Sequence, residues 1–467
     1  MSAAETLDRG PTRGNDNAIA TYFGFAERGT DLVTEARAGL TTFMVMAYIL
    51  FVNQSILVLG FKNVDPAFNP VSIAAGTALV AGVMTIAMGV VGRYPFALAA
   101  GLGINALVAF TLTGKGLSPA GAMGVIVLEG LVVTALVLVG LREAVMNAVP
   151  LSLKRSIGVG IGLFILFIGF TNGGLIKAGS GTPVTVSYPT TTPQFVFLIG
   201  LVITFALYAL KIRAALVISI LVTTAIAIVT GVAPLPQSLT ATPDFSTLGQ
   251  FSVTEVFTKL PLIVALLTVF AIMLTDFFDT MGTVTGIAAE AGLAEKDGSV
   301  PGVGRVLLVD SIAAFAGGAA GVSSNTTYIE SAAGVAEGGR SGFASVVTGV
   351  LFLFAILLSP IALIVPSVAT APALVLVGYL MFTLVRDIPV DSLEDGLPAL
   401  LTMILMPLTY DITVGIGAGF ISWVFLKVVR GKAAQVHPLM WVVAIAFLVF
   451  FGQEWIGNLV APPPPPA

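Results

Sequence analysis

The sequence predicts an all-α polytopic membrane protein with fourteen transmembrane elements in two inverted repeats of seven. Three observations lead to this prediction. Hydrophobic residues make up 57% of the 467-residue chain and charged residues only 10%, whereas soluble globular proteins carry about 25% charged residues. Long apolar segments recur along the chain, with Lys and Arg concentrated in every second loop between them. Finally, one short Gly-rich or polar segment occupies the same place in each half of the chain.

The chain begins with a polar tail, residues 1–33, that has no apolar h-region and is therefore not a signal peptide. The first helix would then be an uncleaved membrane anchor. The fourteen elements lie near 34–59, 72–92, 96–113, 119–140, 153–171, 194–210, 213–232, 259–283, 303–321, 323–338, 342–365, 371–386, 397–410 and 411–430. A last apolar stretch, 438–456, either spans the membrane or lies along its interface, and Pro462–Pro466 reads as a solvated tail.

The distribution of positive charge tests this count. With a cytoplasmic N-terminus, seventeen of the 21 Lys and Arg residues fall on the inner side, and only Lys62, Lys115, Lys177 and Lys259 fall on the outer side. This asymmetry is the positive-inside pattern. Adding or removing one early helix would scramble it, so the charges favour fourteen elements and a cytoplasmic N-terminus.

The elements at 96–113 and 323–338 are too short and too rich in Gly or small polar residues to be good full spans. Each is the third element of its half, and the second half enters the membrane in the opposite sense because seven is odd. Corresponding broken segments in inverted halves point to the binding site of a transporter. The backbone groups freed by such breaks are tolerated only where they line a cavity or bind something.

Three acidic residues, Asp276, Asp279 and Glu330, lie in or against apolar segments that contain no Lys or Arg. A carboxylate at membrane depth costs about 3 kcal/mol on insertion scales, so such residues normally face a polar cavity. Asp276 and Asp279 are three residues apart and lie on roughly one helix face. Two nearby carboxylates do not both ionise cheaply in low dielectric, which suits proton coupling. The alternative is that either Asp only hydrogen-bonds a neighbouring helix.

Glu330 follows a polar run that ends in Thr327 and Tyr328 and offers hydrogen-bond donors, and we expect these two residues to bind substrate as well. Its carboxylate could accept two N–H bonds from a planar heterocycle, with a cap or an interhelical bond as the alternative. Asn105, in the other broken segment, could donate to a substrate carbonyl or bridge to the carboxylates, unless its side chain is satisfied by local backbone. A fourth acid, Glu129, lies in a regular helix, where an interhelical hydrogen bond is favoured over proton coupling.

Polar residues nearer the segment ends are expected to be structural: Asn53, Gln54, Asp310 and Asp411. The chain has no Cys and a single His, His437, which excludes Cys-ligated zinc, a His-based metal site and a Ser/His dyad in the membrane. No phosphate-binding or dinucleotide motif follows a strand. The net charge of −4 and the pI near 5.1 argue against nucleic-acid binding. We therefore expect neither an enzyme nor a cofactor.

Six segments carry a resemblance to a known family, and they extend from about Tyr22 to Trp423: TTFMVMAYILFVNQSIL, YPFALAAGLGINALVAF, LKRSIGVGIGLFILFIGF, TDFFDTMGT, NTTYIESAAGVAEGGRSG and LMPLTYDITVGIGAGFISW. Together they resemble the AzgA-like purine permeases, a branch of the nucleobase–cation symporter-2 superfamily, also called nucleobase–ascorbate transporters. One departure is Gln54, which follows FVN where many members have Pro. It lies away from the expected site.

The resemblance implies a core domain and a gate domain, with a short strand before a half-helix in the third and tenth elements. The implied parts are a cytoplasmic tail (1–33), the core (34–140 and 259–365), the gate (153–232 and 371–430) and a C-terminal segment (431–467). Substrate would bind between the broken elements and the eighth helix. By position, Asp276 matches the acidic substrate ligand of that helix, Glu330 matches the glutamate that holds the base, and Asn105 and Asp279 match residues important in the purine branch.

The function that follows is proton symport of guanine and hypoxanthine, with adenine as a further candidate, by elevator-like alternating access in the plasma (inner) membrane. The lipid bilayer is the environment, and fold relatives suggest a homodimer. Asp276 stands where uracil and xanthine carriers have Glu, and its side chain, one methylene shorter, leaves more room at the site. Three alternatives remain. The protein could be a uracil or xanthine carrier, its transport could be coupled to Na⁺ instead of protons, or it could be an anion transporter of the same fold. Helix N-termini favour anions, but three carboxylates argue against an anionic cargo.

Overall fold

The protein is mostly helical in a computed structural model that describes residues 18–62, 64–140, 148–179, 181–234, 242–295 and 300–460. Residues 1–17 of the predicted tail and the proline run Pro462–Pro466 lie outside the described residues. The α-helices are α1 (Ala18–Phe23), α2 (Phe25–Arg28), α3 (Leu32–Met46), α4 (Ile49–Phe61), α5 (Pro70–Ala87), α6 (Leu102–Ala106), α7 (Pro119–Leu138), α8 (Leu151–Asn172), α9 (Thr192–Ala209), α10 (Ala215–Val229), α11 (Val253–Lys259), α12 (Leu262–Glu290), α13 (Val303–Ala319), α14 (Ser331–Ala336), α15 (Gly342–Ala355), α16 (Ser367–Phe382), α17 (Leu393–Thr409), α18 (Ile412–Val429) and α19 (Pro438–Val460).

Other turns extend several of these helices. Two are π-helical (Met88–Gly92 and Leu107–Leu112), and three are 3-10 helical (Ile356–Leu363, Thr383–Asp387 and Ala433–Gln435). The strands are β1 (Leu98–Ala100), β2 (Ile176–Lys177), β3 (Thr185–Val186) and β4 (Asn325–Thr327).

The predicted fold class is confirmed. A helix lies at each predicted position except 96–113 and 323–338, where β1 precedes α6 and β4 precedes α14. Within the described residues, nine helices are long and apolar enough to cross a membrane by length and composition, and three shorter apolar helices accompany them. The division into core and gate domains stays a prediction, as does the number of elements that cross the membrane.

The first predicted element differs from expectation because it is two helices rather than one. α3 ends at Met46 and α4 begins at Ile49. At the junction, the N–H groups of Leu50 and Phe51 bond to the carbonyls of Ala47 and Tyr48, which is the tighter i to i+3 pattern. The junction places Tyr48 in the protein interior, where it is fully buried.

The helices pack in two groups. In one group, α7 packs on α13, and α15 packs on α3 and α5; in the other, α8 packs on α16 and α17, and α17 on α18. Small residues allow close backbone approach, as is usual between helices in membranes. A Cβ atom on Gly342 would lie 2.0 Å from the carbonyl oxygen of Gly89, and one on Gly378 would lie 2.5 Å from that of Gly162.

Strands β1 and β4 pair antiparallel, with Leu98 opposite Thr327 and Ala100 opposite Asn325. Both strands are completely buried. The pairing continues at both ends, where Gly101 N donates to Ser324 O at 2.9 Å and Tyr328 N donates to Ala97 O at 2.9 Å. The two breaks therefore satisfy each other's backbone groups, which is what irregular backbone at membrane depth requires.

The ion pairs join residues that the charge pattern assigns to the same side of the membrane. On the predicted inner side, Glu337 pairs with Arg37 at 3.3 Å and with Arg213. On the predicted outer side, Lys115 pairs with Asp411 at 3.1 Å. These contacts agree with the grouping of loops that the sequence predicts, whereas the orientation of the N-terminus stays a prediction.

The 438–456 stretch forms α19, which packs on α18 and α12. Phe447 is fully buried, and its ring lies 6.2 Å from that of Phe420 on α18. The helix is thus part of the packed protein, while the choice between spanning and interfacial positions stays open.

Candidate functional site

The candidate site lies where the two broken elements meet, at the β1–β4 pair and the short helices that follow it. α12 and α13 both pack against β4. α13 approaches the turn before β4 so closely that a Cβ atom on Gly317 would lie 2.0 Å from Ser323 O. Only glycine fits this contact without moving the backbone, and its absence of a side chain brings α13 against the polar turn.

The carboxylate of Asp310, on α13, hydrogen-bonds to residues of both β4 and α12. Its Oδ1 accepts from Thr327 N at 3.0 Å and from the Thr327 hydroxyl at 2.9 Å, and its Oδ2 accepts from the Thr280 hydroxyl at 2.8 Å. The hydroxyls of Thr280 and Thr326 are also 2.7 Å apart. One buried carboxylate on α13 thereby sets the position of β4 relative to α12.

Thr327, a predicted substrate-binding residue, uses both its N–H and its hydroxyl in this network and is buried. Both groups are therefore already bonded to Asp310. Direct contact between Thr327 and substrate stays a prediction that these hydrogen bonds do not favour.

Glu330 lies at the start of α14 and does not cap that helix with its side chain. It is partly exposed, and its Oε1 accepts a hydrogen bond of 2.6 Å from the hydroxyl of Tyr48. The sequence left two alternatives to ligand binding by Glu330, a helix cap and an interhelical hydrogen bond. The structure shows the interhelical bond and no cap. Tyr328, two residues earlier, donates its hydroxyl to Ala100 O at 2.5 Å and so fastens β1.

Asp276 and Asp279 differ in exposure. Asp276 is fully buried, whereas Asp279 is exposed although it lies in an apolar part of α12. A spacing of three residues separates their directions by about 60° around a helix of 3.6 residues per turn, which accounts for the difference. Ile329, beside Glu330, is also 56% exposed. The exposed side chains of Asp279 and Ile329 thus lie near Glu330, and Asp279 interacts electrostatically with both Glu330 and Asp310.

Four side chains at the broken elements are buried with polar atoms that have no hydrogen-bond partner among the described residues. They are Asn105 and Asn325, through both amide atoms, and Ser323 and Ser324, through their hydroxyls. Each unsatisfied buried group costs about 1–3 kcal/mol. For Asn105, the alternative of local backbone satisfaction is not seen. A polar ligand or water would satisfy this group of amides and hydroxyls.

Glu129, a predicted proton-coupling residue, is fully buried on α7. The next residue, Gly130, packs so closely on α13 that a Cβ atom there would lie 2.3 Å from Phe315 N. Its role in coupling stays a prediction. Among the described residues, His, Cys, Asp and Glu form no cluster of three or more that could hold a metal ion.

Sequence reasoning missed Tyr48, Thr280 and Asp310 as members of this site. From the sequence we expect Asp310 to be structural because we place it near a segment end, although it lies in a mostly apolar segment like the other acids. It lies in the middle of α13. Tyr48 gave no signal, since an aromatic residue in an apolar segment is normally part of the core.

Two broken elements that cross around buried polar groups, inside a multi-pass helical fold, define a membrane transporter. The sequence profile of the Permease family (Xan_ur_permease) matches residues 34–418. The chain belongs to this family, so it is a multi-pass membrane permease and not an enzyme.

Several characterised permeases are similar over nearly the whole chain. The guanine/hypoxanthine permease PbuG of Bacillus subtilis is 41% identical over 93% of this chain and 99% of its own length. The adenine permease AdeQ of Escherichia coli is 36% identical over 92% of this chain and 95% of its own length.

Solved structures share the fold at low identity. The transmembrane domain of the cyanobacterial bicarbonate transporter BicA gives a TM-score of 0.58 at 13% identity, covering 83% of this chain and 97% of that chain. The murine anion transporter Slc26a9 in the inward-facing state gives 0.61 at 14% identity, covering 90% and 74%.

Proposed function

We propose that this permease imports purine nucleobases, with guanine and hypoxanthine as the main substrates and adenine as a further one. The observation that carries the proposal is the group of unpartnered neutral amides and hydroxyls at the strand pair, with Glu330 and Asp276 on the adjoining helices. A purine presents N–H donors and ring-nitrogen or carbonyl acceptors along its edges. Neutral amides and carboxylates complement both kinds of group, and similar permeases named for these bases support the same substrate class.

In the proposed complex, Glu330 and Asp276 accept N–H bonds from the base, and Asn105 donates to a carbonyl or ring nitrogen. A carboxylate accepts such bonds at roughly twice the strength of a neutral acceptor. Neither broken element, 96–113 or 323–338, contains a Lys or Arg that would favour an anionic cargo. Uracil or xanthine is the second candidate class within the same family.

We further propose that transport is coupled to protons and that the core group of helices moves against the gate group. Asp279 suits a coupling role because its side chain is exposed and interacts with two other acids, Glu330 and Asp310. Sodium coupling is the alternative. A cytoplasmic N-terminus, the inner membrane and a homodimer complete the proposal.

Uptake of radiolabelled hypoxanthine in cells lacking purine permeases tests the function. Unlabelled guanine should compete strongly, and uracil and xanthine should not. A protonophore should abolish uptake while an intact Na⁺ gradient should not preserve it. Asp276→Ala should abolish uptake at normal protein level, and full competition by uracil alone would replace the purine assignment.

A further inference from the structure

Tyr48 contacts the proposed base-holding carboxylate from a distant part of the chain. It lies at the junction of α3 and α4, is fully buried, and donates its hydroxyl to Oε1 of Glu330 at 2.6 Å. This distance falls in the range of charge-assisted O–H···O⁻ bonds. The contact is made at the helix break, between the last residue of α3 and the first residue of α4.

We propose that Tyr48 is a positioning residue of the substrate site, which holds the Glu330 carboxylate through Oε1 so that Oε2 is presented to an N–H group of the base. This inference rests on the proposed function, because it specifies how that site meets its ligand. Glu330 makes no cap bond to α14, so the Tyr48 hydroxyl is its main side-chain anchor.

The anchor matters because a glutamate side chain has several rotatable bonds. Ordering a free one when the ligand arrives would cost rotamer entropy, whereas a carboxylate that is already ordered avoids this cost at binding. The other nearby tyrosine, Tyr328, donates to Ala100 O and fixes β1 instead. Tyr48 thus positions the Glu330 carboxylate, whereas Tyr328 positions β1.

The proposal has a consequence for selectivity. Guanine presents an N1–H and an exocyclic amine side by side, and hypoxanthine presents an N1–H, but the N1 of adenine is an acceptor. A carboxylate oxygen held in one direction favours the bases that place a donor there. Loss of the Tyr48 hydroxyl should therefore weaken guanine recognition more than adenine recognition.

The test is Tyr48→Phe, which keeps the ring and removes only the hydroxyl. We expect the KM for guanine to rise about tenfold, the scale of one hydrogen bond to a charged group, with Vmax nearly unchanged and a smaller rise for adenine. If the role of Tyr48 were purely structural, Tyr48→Phe would lower the protein yield and would lower Vmax for guanine and adenine alike. The matched control is Tyr94→Phe, since the Tyr94 hydroxyl donates to Pro301 O at 2.7 Å away from the site.

A second measurement needs no substrate. Carbodiimide labelling of Glu330, followed by peptide mass spectrometry, should be several-fold faster in Tyr48→Phe than in the wild type or in Tyr94→Phe. If the wild type imports none of the bases, the proposed function fails while labelling still decides the role of Tyr48. An unchanged labelling rate, or an unchanged KM for guanine in an active transporter, would overturn the positioning role.

Discussion

At the scale of single residues, the site depends on a few buried polar side chains whose partners come from distant segments. Asp310 collects three donors from Thr280 and Thr327, and Glu330 is held by Tyr48. Buried polar networks of this kind are stable only when their members are paired. Among the described residues, Asn105 and Asn325 keep unpaired amide groups, and the proposed function assigns these groups to the ligand.

Replacing Asp310 by Asn should displace β4. The substitution exchanges one acceptor oxygen for an NH₂ donor. On the Thr327 side this donor would face a backbone N–H, and on the Thr280 side the Thr280 hydroxyl would have to change from donor to acceptor. We expect a loss of about 1.5–3 kcal/mol, the scale of a hydrogen bond to a charged group, and strongly reduced uptake. Thermal unfolding in detergent and hypoxanthine uptake would measure the two effects. Thr327→Val, which removes one of the three donors, should lower the stability and the uptake less than Asp310→Asn does. Equal losses in the two variants would contradict the proposal that Asp310 holds β4 in place.

A residue outside the membrane segments predicts a dependence of stability on pH. Glu394, at the start of α17, accepts hydrogen bonds from Lys427 at 2.6 Å, Lys432 at 2.5 Å and Arg430 at 2.9 Å. These three cations lower the pKa of Glu394 to about 2 from its ordinary value of 4.5. Because the folded-state pKa lies below the unfolded one, the stabilisation is complete above pH 4.5 and is lost as the pH falls toward 2.

The midpoint of thermal unfolding of the purified protein should therefore decrease across this acidic range. In Glu394→Gln, the same decrease should be smaller, while the midpoint at neutral pH should be lower than in the wild type. Parallel pH curves for the two proteins would show that the cluster does not contribute.

At the scale of elements, the two groups of helices meet at ion pairs on opposite sides of the predicted membrane. Lys115, after the third element, pairs with Asp411 at the start of α18, and Thr111 donates to Tyr410 O at 2.9 Å beside it. On the other side, Glu337 pairs with Arg213. If the core moves against the gate, these pairs must break, so they favour the arrangement seen in this structure.

A double-mutant cycle on the outer pair tests this idea. Lys115→Gln and Asp411→Asn should each change the rate of hypoxanthine uptake by about two- to fivefold, since partly exposed pairs contribute at most about 1 kcal/mol. The double variant should resemble either single one. Asp411 also caps α18 through Thr413 N, which Asn preserves, so helix capping is held constant. Additive effects of the two substitutions would show that the pair is not coupled to transport.

At the scale of the whole molecule, the two broken elements come from different halves of the chain and pair with each other through β1 and β4. In the part of the chain that the structure describes, the ion pairs join residues that the charge pattern assigns to the same side, which agrees with the predicted topology. The orientation of the whole protein in the membrane then decides which end of the site opens to the cytoplasm.

Single cysteines can determine that orientation, because the natural chain contains none. Lys177 and Ile212 are both exposed and lie in loops at opposite ends of the predicted topology. With a cytoplasmic N-terminus, a membrane-impermeant maleimide should label Lys177→Cys in intact cells and Ile212→Cys only after permeabilisation. The reverse pattern would invert the orientation, and labelling of both in intact cells would refute the number of elements.

The sequence by itself determined the class of protein, the positions of the elements and the two places where helices break. Apolar length, the spacing of positive charges and the presence of acids in apolar segments are local properties, so they can be read along the chain. The breaks at 96–113 and 323–338 were recognisable because Gly and small polar residues do not sustain a membrane helix. Asp276, Asp279, Glu330 and Asn105 were selected in the same way.

The tertiary structure alone decided which of these polar groups are hydrogen-bonded within the protein and to which partners. Tyr48 meets Glu330 across 282 residues, and Asp310 reaches Thr327 from a different helix. Such pairings depend on how helices pack in three dimensions, and no pattern along the chain encodes the direction of a side chain around a break. For the same reason, the helix break beside Tyr48 and the different exposures of Asp276 and Asp279 appear only once the protein is folded.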